Sequence, residues 1–329
     1  MAATDPAADL AVTPEQVVAH EARRRPRVGG VALAAGVLTV AANVVQNAAL
    51  ANGPKVTPID ALRSAAGEPL GRSGLASAQA LFLHDHAAGL VFSIVLQALA
   101  FLGMGVVLLQ LLRMTLDRAG RAARPTGVLI YIGAILAAFG GLARIIGLVS
   151  NASSFASSSD QGTQAAHDVT TSGTLLIGGT LVGQLGIFAL AAAIVLTALA
   201  AMRVGLLTRF VGVLGAIVGV LQILGPLSAA SFIVTAFWLI MIGLLMLGRW
   251  PSGMPPAWDS GEPRPWPTQQ EIREQREQER GGGGNRGRGG GGGTSNGNGA
   301  SQRPATEIGP AADAPSPATS ARKKRKRRP

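Results

Sequence analysis

The feature that most limits what this chain can fold into is a succession of apolar stretches, each long enough to cross a bilayer. A helical crossing takes about 20 predominantly apolar residues. Val28–Ala51, Ala87–Leu112, Gly127–Val149 and Leu175–Met202 all meet that length. A further run, Phe210–Leu247, is too long for one crossing and is interrupted at Gly225-Pro226-Leu227-Ser228. Read as two short spans, 210–225 and 229–247, it brings the total to about six; read as one long kinked helix, to five. The expected fold class is all-α, a polytopic transmembrane helix bundle over 28–248. A cytoplasmic segment (1–27) precedes it, and a Pro/Trp-rich juxtamembrane segment with a short polar helix (249–280) follows. A disordered, basic Gly/Arg-rich tail (281–329) ends the chain.

Arginine placement tests the span count, because cytoplasmic loops carry an excess of Lys and Arg. With the N-terminus inside, the inner segments hold Arg23, Arg24, Arg25, Arg27, then Arg113, Arg118, Arg121, Arg124, then Arg203 and Arg209. The outer segments hold Lys55, Arg63 and Arg72. The bias is consistent, and six spans also put the basic tail inside. The expected location is a bacterial inner membrane with both termini cytoplasmic. The basic cluster before Val28, with Ala49-Leu50-Ala51 at the end of the apolar run, also resembles a signal peptide. The stretch exceeds a usual signal core, and 22 residues precede the cluster. An uncleaved first span is the expectation.

Composition then narrows the chemistry. Charged residues are 14% of the chain, against about 25% in soluble domains. Fifteen of the 29 basic residues and eight of the 18 acids follow Leu247, so that segment carries +7 of the net +11. Cysteine is absent, which removes disulfides, thiolate metal sites and cysteine nucleophiles. No phosphate-binding loop, dinucleotide fingerprint or serine-hydrolase elbow occurs, no cofactor is implied, and nothing points to an enzyme.

Within the spans, Gly179-x-x-x-Gly183 and Gly215-x-x-x-Gly219 are close-approach motifs, and Gln97, Gln184 and Gln222 are amides at membrane depth that need partners across helices. Ion-coupled carriers place ionisable groups in their spans. The one candidate here is Arg144, one to two turns from the outer end of the third span, from where a long side chain snorkels to the interface.

Polar chemistry concentrates instead on the outer side. Two of the four histidines flank an aspartate in His84-Asp85-His86, before the second span, and His167-Asp168 precedes the fourth. His84, His86, His167 and Asp168 are the candidate metal ligands. On a helix, positions i and i+2 point about 200° apart, so His84 and His86 do not chelate one ion unless the backbone is extended. The simpler reading is structural: Asp85 or Asp168 pairs with Arg144 and ties three spans together. A proton-linked role is the third reading.

In the tail, Thr268-x-x-Glu271 matches a capping box ahead of a polar segment. Residues 281–299 are a glycine-rich linker. The end carries Arg322, Lys323, Lys324, Arg325, Lys326, Arg327 and Arg328. Such a cluster suits anionic lipid head groups, at about 1 kcal/mol per cation near the surface, or RNA.

The stretches 203–226, 237–267 and 83–102 are similar to uncharacterised actinobacterial multi-span integral membrane proteins. The resemblance implies a six-helix bundle and no established activity. Three functions remain as expectations: an interaction module displaying the basic tail, a small-solute transporter or channel, and a metal-binding or proton-linked protein using the outer cluster.

Overall fold

The computed structural model describes residues 14–54, 66, 75–119, 124–224, 229–251, 253–265, 273–274 and 277. The chain divides into two units, Met1–Gln269 and Gln270–Pro329. All that follows concerns the first. The turn at 225–228, Lys55, Arg63 and Arg72, the capping box at Thr268 and Glu271, and the basic cluster Arg322–Arg328 lie outside the described residues.

Among the described residues every regular element is a helix: α1 (Pro14–Leu50), α2 (Leu75–Asp85), α3 (Ala87–Ala119), α4 (Arg124–Ser157), α5 (Thr163–Thr171), α6 (Thr174–Arg203), α7 (Arg209–Leu224), α8 (Ala229–Met246) and α9 (Pro256–Ser260). Helices α1, α3, α4 and α6 are long and apolar enough to cross a membrane, while α7 and α8 are shorter apolar helices. The protein is a membrane protein by this measure. Its outward faces fit that solvent. Val37, Phe92, Leu99, Tyr131, Phe139, Leu181, Leu185, Phe210 and Ile233 are large, apolar and exposed, which suits a surface wetted by acyl chains, not by water.

The helices close on themselves. Each packs on the next in the order α1, α3, α4, α6, α7, α8 and back to α1, and α3 touches α6 across the ring. Lipid offers helices little hydrophobic reason to associate, so close backbone approach has to hold them together. The α4–α6 seam is the tightest case. Gly133, Gly140 and Gly147, seven residues apart, face Gly186 and Leu190, Gly183, and Leu176 in turn, and Gly179 abuts the Arg144 backbone; a Cβ on Gly133 would lie 2.7 Å from the Leu190 nitrogen, and one on Gly147 2.6 Å from that of Leu176. Gly179 and Gly183 are thus close-approach positions, as their spacing suggested. Gly215 packs against Ala198 and Trp238, and Gly219 against Ala191 and Val195.

The ring has two unlike ends. At one, here the histidine end, α2 and α5 fold over α4: Ala80, Ala152, Phe155, Ala166 and Val169 make a small satellite core. The Ser77 hydroxyl donates to the Gln161 carbonyl at 2.9 Å, and the Asn151 amide donates to the Val169 and Ser172 carbonyls at 3.1 and 2.8 Å. At the other, the tryptophan end, α9 docks under α1, α3 and the α6–α7 connection. The Pro/Trp-rich segment turns into α9 and buries Trp258 completely.

Candidate functional site

The interior of the ring is filled unevenly, and that decides where a site exists. Toward the tryptophan end, Met104, Leu108 and Leu111 of α3 meet Leu190 and Ile194 of α6, with Leu206, Val211, Trp238 and Ile242 around them, all buried. Toward the histidine end the wall carries smaller residues, Ala42 on α1, Ser93 on α3 and Ala137 on α4, while Gly179 and Gly183 bring α6 hard against α4. A cavity of about 420 Å³ results, lined by α1, α3, α4, α6 and α8.

Its wall mixes apolar side chains (Ile94, Phe101, Ile145, Ile187, Phe232) with Gln46, Ser93, Gln97, Thr180, Gln184 and Arg144. Ser93 and Thr180 spend their hydroxyl protons on their own helices, donating to the Leu90 and Leu176 carbonyls at 2.8 and 2.7 Å. Gln46, Gln97, Gln184 and Arg144 have no protein hydrogen-bond partner among the described residues. The three glutamines are half-buried and Arg144 is exposed, so their polar atoms face the open space of the cavity; the fully buried side-chain atoms without a partner are Arg25 Nε and Thr197 Oγ1. The inter-helix partners expected for Gln97, Gln184 and Gln222 are absent among the described residues. Gln97 and Gln184 face the chamber, and Gln97 and Gln222 line a second space of about 30 Å³ beside Thr39, Ser231 and Thr235.

Arg144 occupies a distinctive place. Its backbone abuts Gly179 of α6, and its side chain stays exposed. It lines both the chamber and a second cavity of about 420 Å³ under α2 and α5, where Leu83, Leu148, Thr170, Thr171, Leu176 and Ile177 stand. Thr180 also lines both. Helix α4 continues thirteen residues past Arg144 to Ser157, about 20 Å at helical rise. The sequence reading put it one to two turns from the end of its span; the helix itself runs on well past it.

The expected outer-face cluster does not assemble. Among the described residues the ion pairs are Arg25–Glu21, Arg118–Glu21 and Arg264–Glu262, and none joins Arg144 to Asp85 or Asp168. His84 pairs with the Ser153 hydroxyl at 3.2 Å. His86 turns back to the Phe82 carbonyl at 3.0 Å and stacks on the Phe82 ring with centroids 4.0 Å apart. His167 meets the Thr171 hydroxyl one turn along its own helix at 3.2 Å, and Asp168 accepts from Gln164 at 3.5 Å. No group of three potential ligands comes together among the described residues, so His84, His86, His167 and Asp168 form no metal-ligating set there. The physical reason is the one the spacing raised. Residues Leu75–Asp85 are helical, which turns His84 toward α4 and leaves His86 in the α2–α3 link.

Sequence reasoning missed the ionic site at the tryptophan end. Arg118 holds Glu21 through two parallel bonds of 2.6 and 2.9 Å, donates to the Ala257 carbonyl at 3.0 Å and to the Met114 carbonyl at 2.9 Å. Its side chain has no exposure and that of Glu21 only 3%. Arg25 donates to the Trp258 carbonyl at 2.7 Å, and its guanidinium lies 4.5 Å over the Trp258 ring. The Trp258 indole N–H donates to the Leu206 carbonyl at 2.7 Å. Gly205 (φ 81°) lets the Arg264 carbonyl pass where a side chain would stand. Four chain segments are tied into one closed plug. The available signal was Glu21, the lone acid beside the Arg23–Arg27 cluster.

Comparison with protein-family models, curated proteins and solved structures finds no match.

Proposed function

We infer that this chain is a multi-pass membrane protein that takes a small solute from one aqueous face into the chamber within its helix ring, as a solute-binding or transport module. One observation carries the reading: a cavity of about 420 Å³ whose lining amides and guanidinium have no partners among the described residues. That volume lies in the range of ligand sites, about 300–1,000 Å³, and its lining has the usual make-up of an apolar wall with a few convergent polar groups. The packed core and the Glu21–Arg118–Trp258 plug favour access from the histidine end. In this reading α7 and α8, about 24–27 Å long at helical rise, cross the membrane as a pair and complete six spans. The inner, cytoplasmic side of a bacterial membrane is then the tryptophan end, in keeping with the arginine bias.

The absence of cysteine makes the test clean. Single cysteines at Gln97 and Gln184 in sealed proteoliposomes are expected to react with a membrane-impermeant thiol reagent added on the histidine side only. A cysteine at Leu111, in the dry core, is expected to stay unmodified. Equal protection of all three positions would overturn the reading.

A further inference from the structure

Resting on that chamber, we propose that Arg144 is the anchor for an acidic group, so that the ligand is a small organic anion: a carboxylate or phosphate carrying an apolar body. Three observations converge. Arg144 is the one charged residue in the chamber wall and stands where the two cavities share lining. No carboxylate among the described residues neutralises it, although an arginine always carries its charge. A charge at membrane depth is retained where it meets a counter-charge, a water-filled cavity or a substrate. The planar guanidinium fork matches the two oxygens of a carboxylate or phosphate.

The rest of the wall defines the rest of the ligand. Ile94, Phe101, Ile187 and Phe232 offer apolar contact, and the amides of Gln97 and Gln184 both donate and accept. An inorganic anion would leave those surfaces unused. An aromatic or short aliphatic acid fits them all. The acidic group can arrive from solution or on a lipid, because the second cavity borders Ile177 and Leu181, which are exposed on the membrane-facing side of α6.

The experiment compares benzoate with benzamide, an isostere without the charge, by calorimetry on the full chain in phosphatidylcholine nanodiscs. Benzoate is expected to bind and benzamide to bind at least about tenfold more weakly, the scale of one lost charge-assisted contact. Arg144→Gln is expected to erase that preference and Arg144→Lys to keep part of it. Leu148→Glu places a carboxylate one turn away and is expected to displace benzoate with Arg144 intact, so the test survives a misfolded Arg144→Gln. In nanodiscs containing phosphatidylglycerol, retention of that lipid by the wild type and its loss in Arg144→Gln, without benzoate binding, assigns the anion to lipid. Equal binding of benzoate and benzamide overturns the anion and leaves the chamber standing. If neither ligand binds and no lipid is retained through Arg144, the anion assignment falls; if the Gln97 cysteine is also unreactive, the chamber reading falls with it.

Discussion

The two halves of the ring are built from the same helices and almost the same apolar alphabet, yet they treat polar groups in opposite ways. At the tryptophan end Glu21 and Arg118 are buried with their charges matched, and the guanidinium also meets the Ala257 and Met114 carbonyls. At the histidine end three amides and a guanidinium border the cavity with no partner among the described residues. The cause is side-chain size across the ring. Met104, Leu108 and Leu111 fill the ring against Leu190 and Ile194; Ala42, Ser93 and Ala137 leave room beside Gln97 and Gln184. Sealing and hollowing are thus separable properties of one bundle.

The sharpest way to break the contrast is to unpair the plug. Removing one partner of a buried ion pair leaves an uncompensated charge and costs about 3–5 kcal/mol. Glu21→Ala and Arg118→Ala are each expected to lower unfolding stability in detergent by that amount. A double replacement, Glu21→Leu with Arg118→Met, is expected to recover much of the loss, since well-packed apolar groups often replace a buried pair at little cost. A double variant as unstable as the singles would mean the pair does more than seal.

The second effect concerns the seam that both halves share. A Cβ on Gly140 would run into the backbone of Gly183, which has no flexible end to move aside. Overpacking of that kind costs about 1–3 kcal/mol. Gly140→Ala is expected to destabilise by this amount, while Gly178→Ala, whose added carbon meets nothing within 4 Å, is expected to match or exceed the wild type. Melting temperatures of the pair measure the difference directly.

The third is Trp258→Phe, which keeps an aromatic ring but shrinks it and deletes the bond to the Leu206 carbonyl. The orphaned carbonyl and weaker ring contact with Arg25 put the expected loss at about 1–2 kcal/mol. A loss equal to that of Arg118→Ala would make the tryptophan, not the ion pair, the centre of the plug.

Some of this was legible in the sequence and some was not, for reasons that differ by site. The long helices follow from apolar length alone, because a bilayer enforces it. Gly179 and Gly183 were readable from their spacing, whereas the heptad Gly133, Gly140, Gly147 was not read, although it forms the other side of the same seam. The i, i+2 spacing of His84 and His86 made joint chelation depend on an extended backbone, and Leu75–Asp85 is helical. No ion pair joins Arg144 to Asp85 or Asp168 among the described residues, because closeness in sequence to one end of the bundle does not fix side-chain direction. His84 and His86 bond to Ser153 and Phe82, and α4 carries Arg144 well below its own end. The plug was illegible for a related reason. Positive charges near Arg25 and Arg118 read as an orientation signal, and only the fold reveals that two of them are consumed by Glu21 and the α9 carbonyls.

The smallest expected effect has the opposite sign and discriminates best between the halves. Gln97→Met and Gln184→Met are close in volume and remove amides that bond nothing in the protein. An amide that glued helices together would, on removal, leave a buried partner unsatisfied and lose about 1–3 kcal/mol. An amide facing a wet chamber leaves no orphan, and its replacement by an apolar side chain is expected to shift stability by less than about 1 kcal/mol, neutral or stabilising. The same substitutions are expected to slow thiol modification of a cysteine at Ser93 by making the chamber less wettable. Stability measured alongside that rate separates the two cases. A stable protein with a slowed rate places the amides in the service of a solute; an unstable protein with an unchanged rate returns them to helix packing, and with them the distinction between a sealed half and a working one.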